Sequence, residues 1–193
     1  MFLSDNGASA EVMVRGDGHD PNAPPGSWRS HLCLGPGWST VANTPFRKHK
    51  TWNHEGGTAT PLIVHWPAGI PERERGTLRR APGHVIDIAP TLLDLAGAPP
   101  INHSPGTSLT SIFSADREWR HPAPLWWHHN GHRALRQDNW KLVATNKGEW
   151  ELYDLATDRA ETNDLAAAVP ERASAMAAQW KDMAKEFQDH LGK

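Results

Sequence analysis

From about His121 the chain alternates short strand-like runs with turn formers, and this constrains the fold more than anything else in it. The runs are Leu125-Trp126-Trp127, His132 to Gln137, Trp140 to Thr145 and Glu149 to Tyr153. Asp138-Asn139 lies between two of them and Asn146-Lys147-Gly148 between the next two, which are hairpin-turn compositions. Connections this short join neighbouring antiparallel strands. Pro170 then opens a helix whose Ala173, Met176, Ala177, Trp180, Met183, Ala184, Phe187 and Leu191 recur at spacings of three and four. The prediction is a small antiparallel sheet with this stripe packed on it, burying Trp180 and Phe187.

The first part of the chain reads differently. Leu62-Ile63-Val64 is apolar without alternation, which predicts a strand buried on both faces in a mostly parallel sheet. His84-Val85-Ile86 predicts another short strand. Asp87 is placed to cap a helix that turns Ile88, Leu92, Leu93 and Leu95 inward and stops at Gly97. Residues 8–45 carry many glycines and prolines with no periodicity, predicting a long irregular connection beside a functional site. Within it Asn43 or Thr44 is expected to cap a helical turn starting at Pro45, and Trp28 and Trp38 either line a pocket or simply pack.

Charge narrows the function classes. A net charge of -2 and a pI near 6.6 argue against a nucleic-acid or anionic-membrane binder. A single cysteine, Cys33, allows no intrachain disulfide, and a small buried thiol is expected there. The longest apolar run is far too short to span a membrane, and the amino terminus lacks the features of a signal peptide. The compartment stays open, since a longer gene with an upstream signal would place the protein in the periplasm or outside the cell. The histidines are scattered, with His128-His129 the one adjacent pair, so no zinc spacing emerges.

Two stretches carry chemistry. Met1-Phe2-Leu3-Ser4-Asp5-Asn6-Gly7 is a short apolar run that breaks into an acid, an amide and a glycine. That is either a β-turn or part of an oxygen-ligand site for Ca²⁺ or Mg²⁺ at a strand's carboxyl end. The second stretch runs from Arg47 through Lys50 to Glu55-Gly56-Gly57, ahead of Pro61-Leu62-Ile63-Val64. By itself Lys50 is a solvated lysine in a basic run.

Taken together, Ser4-Asp5-Asn6-Gly7, Asn43-Thr44-Pro45-Phe46-Arg47 and the Lys50/Glu55-Gly56-Gly57 spacing resemble the C-terminal half of the sulfatase family. Within that family the likeness is to arylsulfatase-like enzymes of the alkaline phosphatase superfold. Pro90 to Gly97, Arg133 to Arg136, Trp140 to Val143 and Glu151 to Leu155 extend the likeness over nearly the whole chain. The resemblance implies an α/β fold: the C-terminal part of an alkaline phosphatase-like mixed-sheet core, residues 1–118, then an antiparallel sheet with a packed helix, residues 119–193. It implies metal ligation by Asp5 and Asn6, usually of Ca²⁺ with Mg²⁺ possible. Lys50 would reach the sulfate and leaving-group oxygens. Read from their own settings, His54 and His128 are either substrate-side residues or hydrogen-bonded structural histidines. The substrate class would be an aryl or carbohydrate sulfate ester.

The family's nucleophile is a formylglycine made from Cys or Ser in a Cys/Ser-x-Pro-x-Arg motif. Cys33 is followed by Leu34-Gly35-Pro36-Gly37, so it does not fit. The nucleophile and the remaining ligands are expected in an N-terminal half, and the chain alone is expected to be inactive. Two other readings stand beside this one: a phosphoester or phosphonate hydrolase of the same superfold, and a noncatalytic remnant. Glu55-Gly56-Gly57 reads as architecture, the glycines admitting close backbone approach.

Overall fold

The computed structural model describes residues 1–12, 18–115 and 119–191, which divide into two compact units. The larger comprises residues 6–60, 126–135 and 139–193, and the smaller residues 1–5, 61–125 and 136–138.

Most residues of the antiparallel sheet that the turn spacing predicts fall in the larger unit. Its strands are β3 (Leu125–His129), β4 (His132–Gln137), β5 (Trp140–Ala144) and β6 (Glu151–Asp154), side by side in chain order. The β3–β4 turn is Asn130-Gly131, both at positive φ (50° and 80°), the backbone that a tight hairpin favours. β5 and β6 pair with Lys141 opposite Tyr153, Leu142 opposite Leu152 and Val143 opposite Glu151. Side chains alternate across a strand, so two different faces result. One carries Leu135, Leu142 and Leu152 against Met176 of α4 (Pro170–Leu191). The other carries Ala134, Val143 and Tyr153, with Leu155 completing a second cluster.

The α4 stripe packs as predicted through Trp180. Its indole stacks on Trp126 at 5.3 Å, and the two rings cross-link backbones: Trp126 Nε1 donates to the Trp180 carbonyl at 3.2 Å and Trp180 Nε1 to that of Trp127 at 3.1 Å. Phe187 departs from the prediction. It touches Trp126 edge-on at 4.9 Å but remains 40% exposed, because residues 185–190 of the helix are all on the surface.

The long connection expected over residues 8–45 is interrupted by α1 (Gly35–Asn43), with Pro36 in its first turn. A proline near the start of a helix costs no hydrogen bond, and that accounts for the helix beginning at Leu34-Gly35-Pro36. Asn43 therefore ends a helix instead of capping one, and no helix starts at Pro45. Trp28 and Trp38 do not pack closely, being 85% and 69% exposed, and Cys33 is half-buried, not buried.

In the smaller unit, β1 (Phe2–Leu3) pairs antiparallel with β2 (Leu62–Ile63), Phe2 opposite Ile63 and Leu3 opposite Leu62. The expected doubly buried parallel strand is not what forms: Leu62 and Ile63 are exposed, because β1 is the one strand paired with β2 in a two-stranded sheet. His84-Val85-Ile86 is likewise not a strand. Val85–Asp87 makes a 3₁₀ turn leading into α3 (Ile88–Ala96), which ends at Gly97 in the left-handed region (φ 62°). The turn wins because Asp87 is held by one local and two distant partners. Its buried carboxylate accepts from the backbone of His84 at 2.7 Å and of Thr107 at 2.9 Å, and meets His121 Nε2 at 3.3 Å. Leu92 of α3, expected inward, is exposed. No helix among the described residues is long and apolar enough to cross a membrane.

Candidate functional site

The segment from Arg47 to Thr58 of the larger unit is folded back on itself so tightly that two positions admit no side chain. A Cβ on Gly56 would overlap the carbonyl oxygens of Arg47 and Lys48, and one on Gly57 would overlap that of Trp52. Gly56 N donates to the Arg47 carbonyl at 2.9 Å, and α2 (Glu55–Thr58) follows as a single turn. Asn43 pins the arrangement with its amide. Nδ2 donates to the Gly56 carbonyl at 2.8 Å and to that of Lys48 at 3.1 Å, while Oδ1 accepts from Ala8 N at 3.1 Å. Gly7 N donates to the Gly57 carbonyl at 3.0 Å and Lys50 N to the Ala8 carbonyl at 2.9 Å. The segment that follows Asn6 therefore lies along the backbone of Lys50.

Beside this junction is a cleft of about 370 Å³ whose lining includes Ser9, Glu11, His49, Lys50, Thr51 and Trp52. Lys50 enters it with its ammonium 3.7 Å from the Glu11 carboxylate, both side chains a little over one third exposed. His49 packs edge-on against Trp52 at 4.6 Å. Thr51 holds φ at 96°, a conformation that a β-branched residue adopts only when its surroundings force it, and such backbones cluster at functional sites.

Beneath the loop lies a charged network that fixes it to the sheet. Lys141 of β5 is wholly buried, 2.9 Å from Glu55 and 3.0 Å from Glu161. Arg159 reaches the other oxygen of Glu55 at 3.0 Å, and Glu55 N donates to Glu161 at 2.8 Å. Glu55 thus holds the loop through hydrogen bonds, as its setting in the sequence implies. Next to this group, Arg47 donates to Tyr153 at 2.7 Å and to the Glu161 carbonyl at 2.6 Å, and meets Glu151 at 3.3 Å. His54 Nε2 lies 3.4 Å from the same Glu151 oxygen.

The His54 hydrogen bond, helped by Tyr153 and Arg47, outweighs burial and holds the Glu151 carboxyl down at about 2. Burial, together with the same carboxylate, pushes the Tyr153 phenol well up. The sign follows from linkage. A depressed carboxylate stabilises the fold fully above its unfolded value of 4.5 and loses that contribution as pH falls toward 2. Glu151 is about one quarter exposed, so we expect a loss of about 2 kcal/mol across that window. Urea unfolding of the Glu151→Gln variant, followed from pH 5 to pH 2, is expected to show a correspondingly smaller pH-dependent loss than the native chain.

The residues singled out in the sequence are distributed as follows. Lys50 lies in the cleft. Asn6 is half-buried, two residues before Ala8, and Asp5 is exposed at the end of the other unit's first segment. The oxygen donors of Asp5 and Asn6 suit a hard cation, though they are two of the six to eight that Ca²⁺ takes. Among the described residues no group of three or more His, Cys, Asp or Glu side chains stands ready to hold a metal. His54 is completely buried on Glu151. His128 is exposed on β3, edge-on to Trp126 and Trp180. Sequence reasoning missed Glu11 and the Lys141 network; a lysine among the apolar residues Trp140, Leu142 and Val143 was the available signal for the latter.

Residues 46–189 match the family described as N-sulphoglucosamine sulphohydrolase, C-terminal. An uncharacterized sulfatase of Schizosaccharomyces pombe is 29% identical over 206 residues, covering 93% of this chain and 36% of its own. The N-acetylglucosamine-6-O-sulfatase of Bacteroides thetaiotaomicron is 27% identical over 129 residues, covering 60% and 23%. The solved structure of Ps i-CgsB is 25% identical with a TM-score of 0.65, covering 77% of this chain and 34% of that one. The chain therefore spans between 23% and 36% of the length of these relatives.

Proposed function

The chain belongs to the sulfatase family, through its N-sulphoglucosamine sulphohydrolase C-terminal region, and from that premise we propose that it forms part of a metal-dependent sulfuric ester hydrolase. The observation that carries the reading is Lys50, a little over one third exposed in an open cleft on a loop whose backbone is locked by Gly56 and Gly57. An ammonium presented this way is a compact donor for a sulfate oxygen and for the leaving-group oxygen as charge develops there. Asp5 and Asn6 are proposed as metal ligands, with Ca²⁺ the favoured ion. A cation held by them supplies positive charge that draws the sulfate group and stabilises its oxygens.

The roles of the two histidines differ. His128, exposed, is proposed as a substrate-side residue, whereas His54, buried, is proposed to position the loop through Glu151. In the whole protein, residues 1–118 are proposed to complete the catalytic α/β domain and residues 119–193 to form the sheet-and-helix subdomain. The substrate class is an aryl or carbohydrate sulfate ester; the likeness to the N-acetylglucosamine-6-O-sulfatase supports the carbohydrate. The nucleophile, a formylglycine in this family, is proposed to come from the part of the relatives that this chain does not span.

The test is turnover of an aryl sulfate in the presence of Ca²⁺, first by this chain alone and then with the N-terminal part of a related sulfatase supplied. We expect none from the chain alone and measurable hydrolysis from the pair. Robust turnover by the chain alone would place the chemistry on residues assigned structural roles above.

A further inference from the structure

Resting on the Lys50 reading, we infer that a second anion subsite adjoins the cleft, formed by Lys48, His129 and His132 around Trp52, and that it takes the sulfate or carboxylate of a sugar ring neighbouring the one cleaved. Trp52 is the hub. It lines the cleft together with Lys50, and the same indole is met by the Lys48 ammonium at 5.6 Å and by the His132 ring at 5.6 Å. One indole therefore separates the Lys50 cleft from these two groups, a step comparable to one sugar ring.

Lys48 is exposed, yet its backbone is fixed. It holds φ at 65°, where a residue other than glycine stays only if its surroundings require it. Asn43 Nδ2 donates to its carbonyl at 3.1 Å, and Gly56 lies so close to the same carbonyl that a Cβ there would overlap it. The two imidazoles are set as donors. Asn130 Nδ2 donates to His129 Nε2 at 3.1 Å, which leaves Nδ1 to carry the proton. Asn146 N donates to His132 Nδ1 at 3.1 Å, which leaves Nε2 to carry it. An ammonium and two N–H groups suit an anionic oxygen. Burial, and after it like-charge repulsion from His129, His54 and Lys48, holds the His132 imidazole below the ordinary histidine range, while Glu151 is met by His54 and Arg47. An anion seated beside Lys48 and His129 offsets that repulsion, so its binding raises His132.

The experiment is a chemical-shift titration of this chain with a cellobiose monosulfate and with a cellobiose disulfate carrying one sulfate on each ring. The disulfate is expected to bind about fivefold tighter, the worth of one exposed ion pair, and the ratio is expected to shrink when salt is raised. Lys48→Gln should bring the ratio close to unity, while Lys48→Arg, which keeps the charge, should retain it. The His132 ring signals, followed against pH, should titrate higher with the disulfate bound than with the monosulfate. A native ratio near unity, an unchanged ratio in Lys48→Gln, a His132 titration that the disulfate leaves unmoved, or binding of neither sugar would overturn the inference. Lys50→Gln separates it from the reading beneath, since it should weaken both sugars alike and keep the ratio. If that variant binds both like the native chain, the role of Lys50 is wrong. If it loses both while Lys48→Gln leaves the ratio unchanged, only the subsite fails.

Discussion

Replacing Lys141 with methionine is expected to destabilise the larger unit by about 3–5 kcal/mol, the cost of breaking a buried ion pair from one side. Methionine fills nearly the same space in β5, so packing changes little. The charge is what disappears. Glu55 and Glu161, 3% and 0% exposed, now occupy the same buried volume without the ammonium that sat 2.9 and 3.0 Å from them. Glu55 keeps Arg159 at 3.0 Å, whereas Glu161 keeps the Glu55 N–H at 2.8 Å, a neutral donor in place of a full charge. Urea unfolding at neutral pH measures it. Adding Glu161→Gln to Lys141→Met should recover a large part of the loss, and a single-variant loss below about 1 kcal/mol would show that the network is not the anchor described.

The sheet and its helix were legible because their signals are local. Turn residues at short intervals fix neighbouring antiparallel strands, and the spacing of Met176 and Trp180 fixes the buried face of α4. The smaller unit was read less well. Leu62-Ile63-Val64 carries the composition of a central strand, yet the burial of a strand depends on its neighbours, and the two-residue pairing with β1 leaves it exposed. His84 to Ile86 lost its strand to Asp87, whose partners Thr107 and His121 lie 20 and 34 residues away and leave no periodic trace.

The candidate site divides in the same way. Gly56 and Gly57 were readable because adjacent glycines after an acid imply close backbone approach, and that approach is observed. Glu11, by contrast, lies in a stretch without pattern, and its relation to Lys50 exists only in three dimensions. The same holds for Lys141 and Glu55, 86 residues apart. Asn43 was given the wrong local role, since a helix cap and a loop staple draw on the same amide chemistry and sequence alone does not separate them.

The most direct test of the account is the effect of Lys50→Gln on turnover once this chain is assembled with the N-terminal part of a sulfatase. Lys50 is a little over one third exposed, and its ion pair with Glu11 is worth at most about 1 kcal/mol, so the unfolding midpoint should barely move. Its proposed work lies in the transition state, where loss of a donor to developing charge lowers turnover by about 10²–10³-fold. The measurement is kcat and KM for a sulfate ester, native against variant, with urea unfolding of both as the control for folding. The account predicts a drop in kcat of that size with stability retained. A variant that folds normally and turns over within about twofold of the native enzyme would contradict it, because catalysis by donors of this kind does not survive their removal at that level.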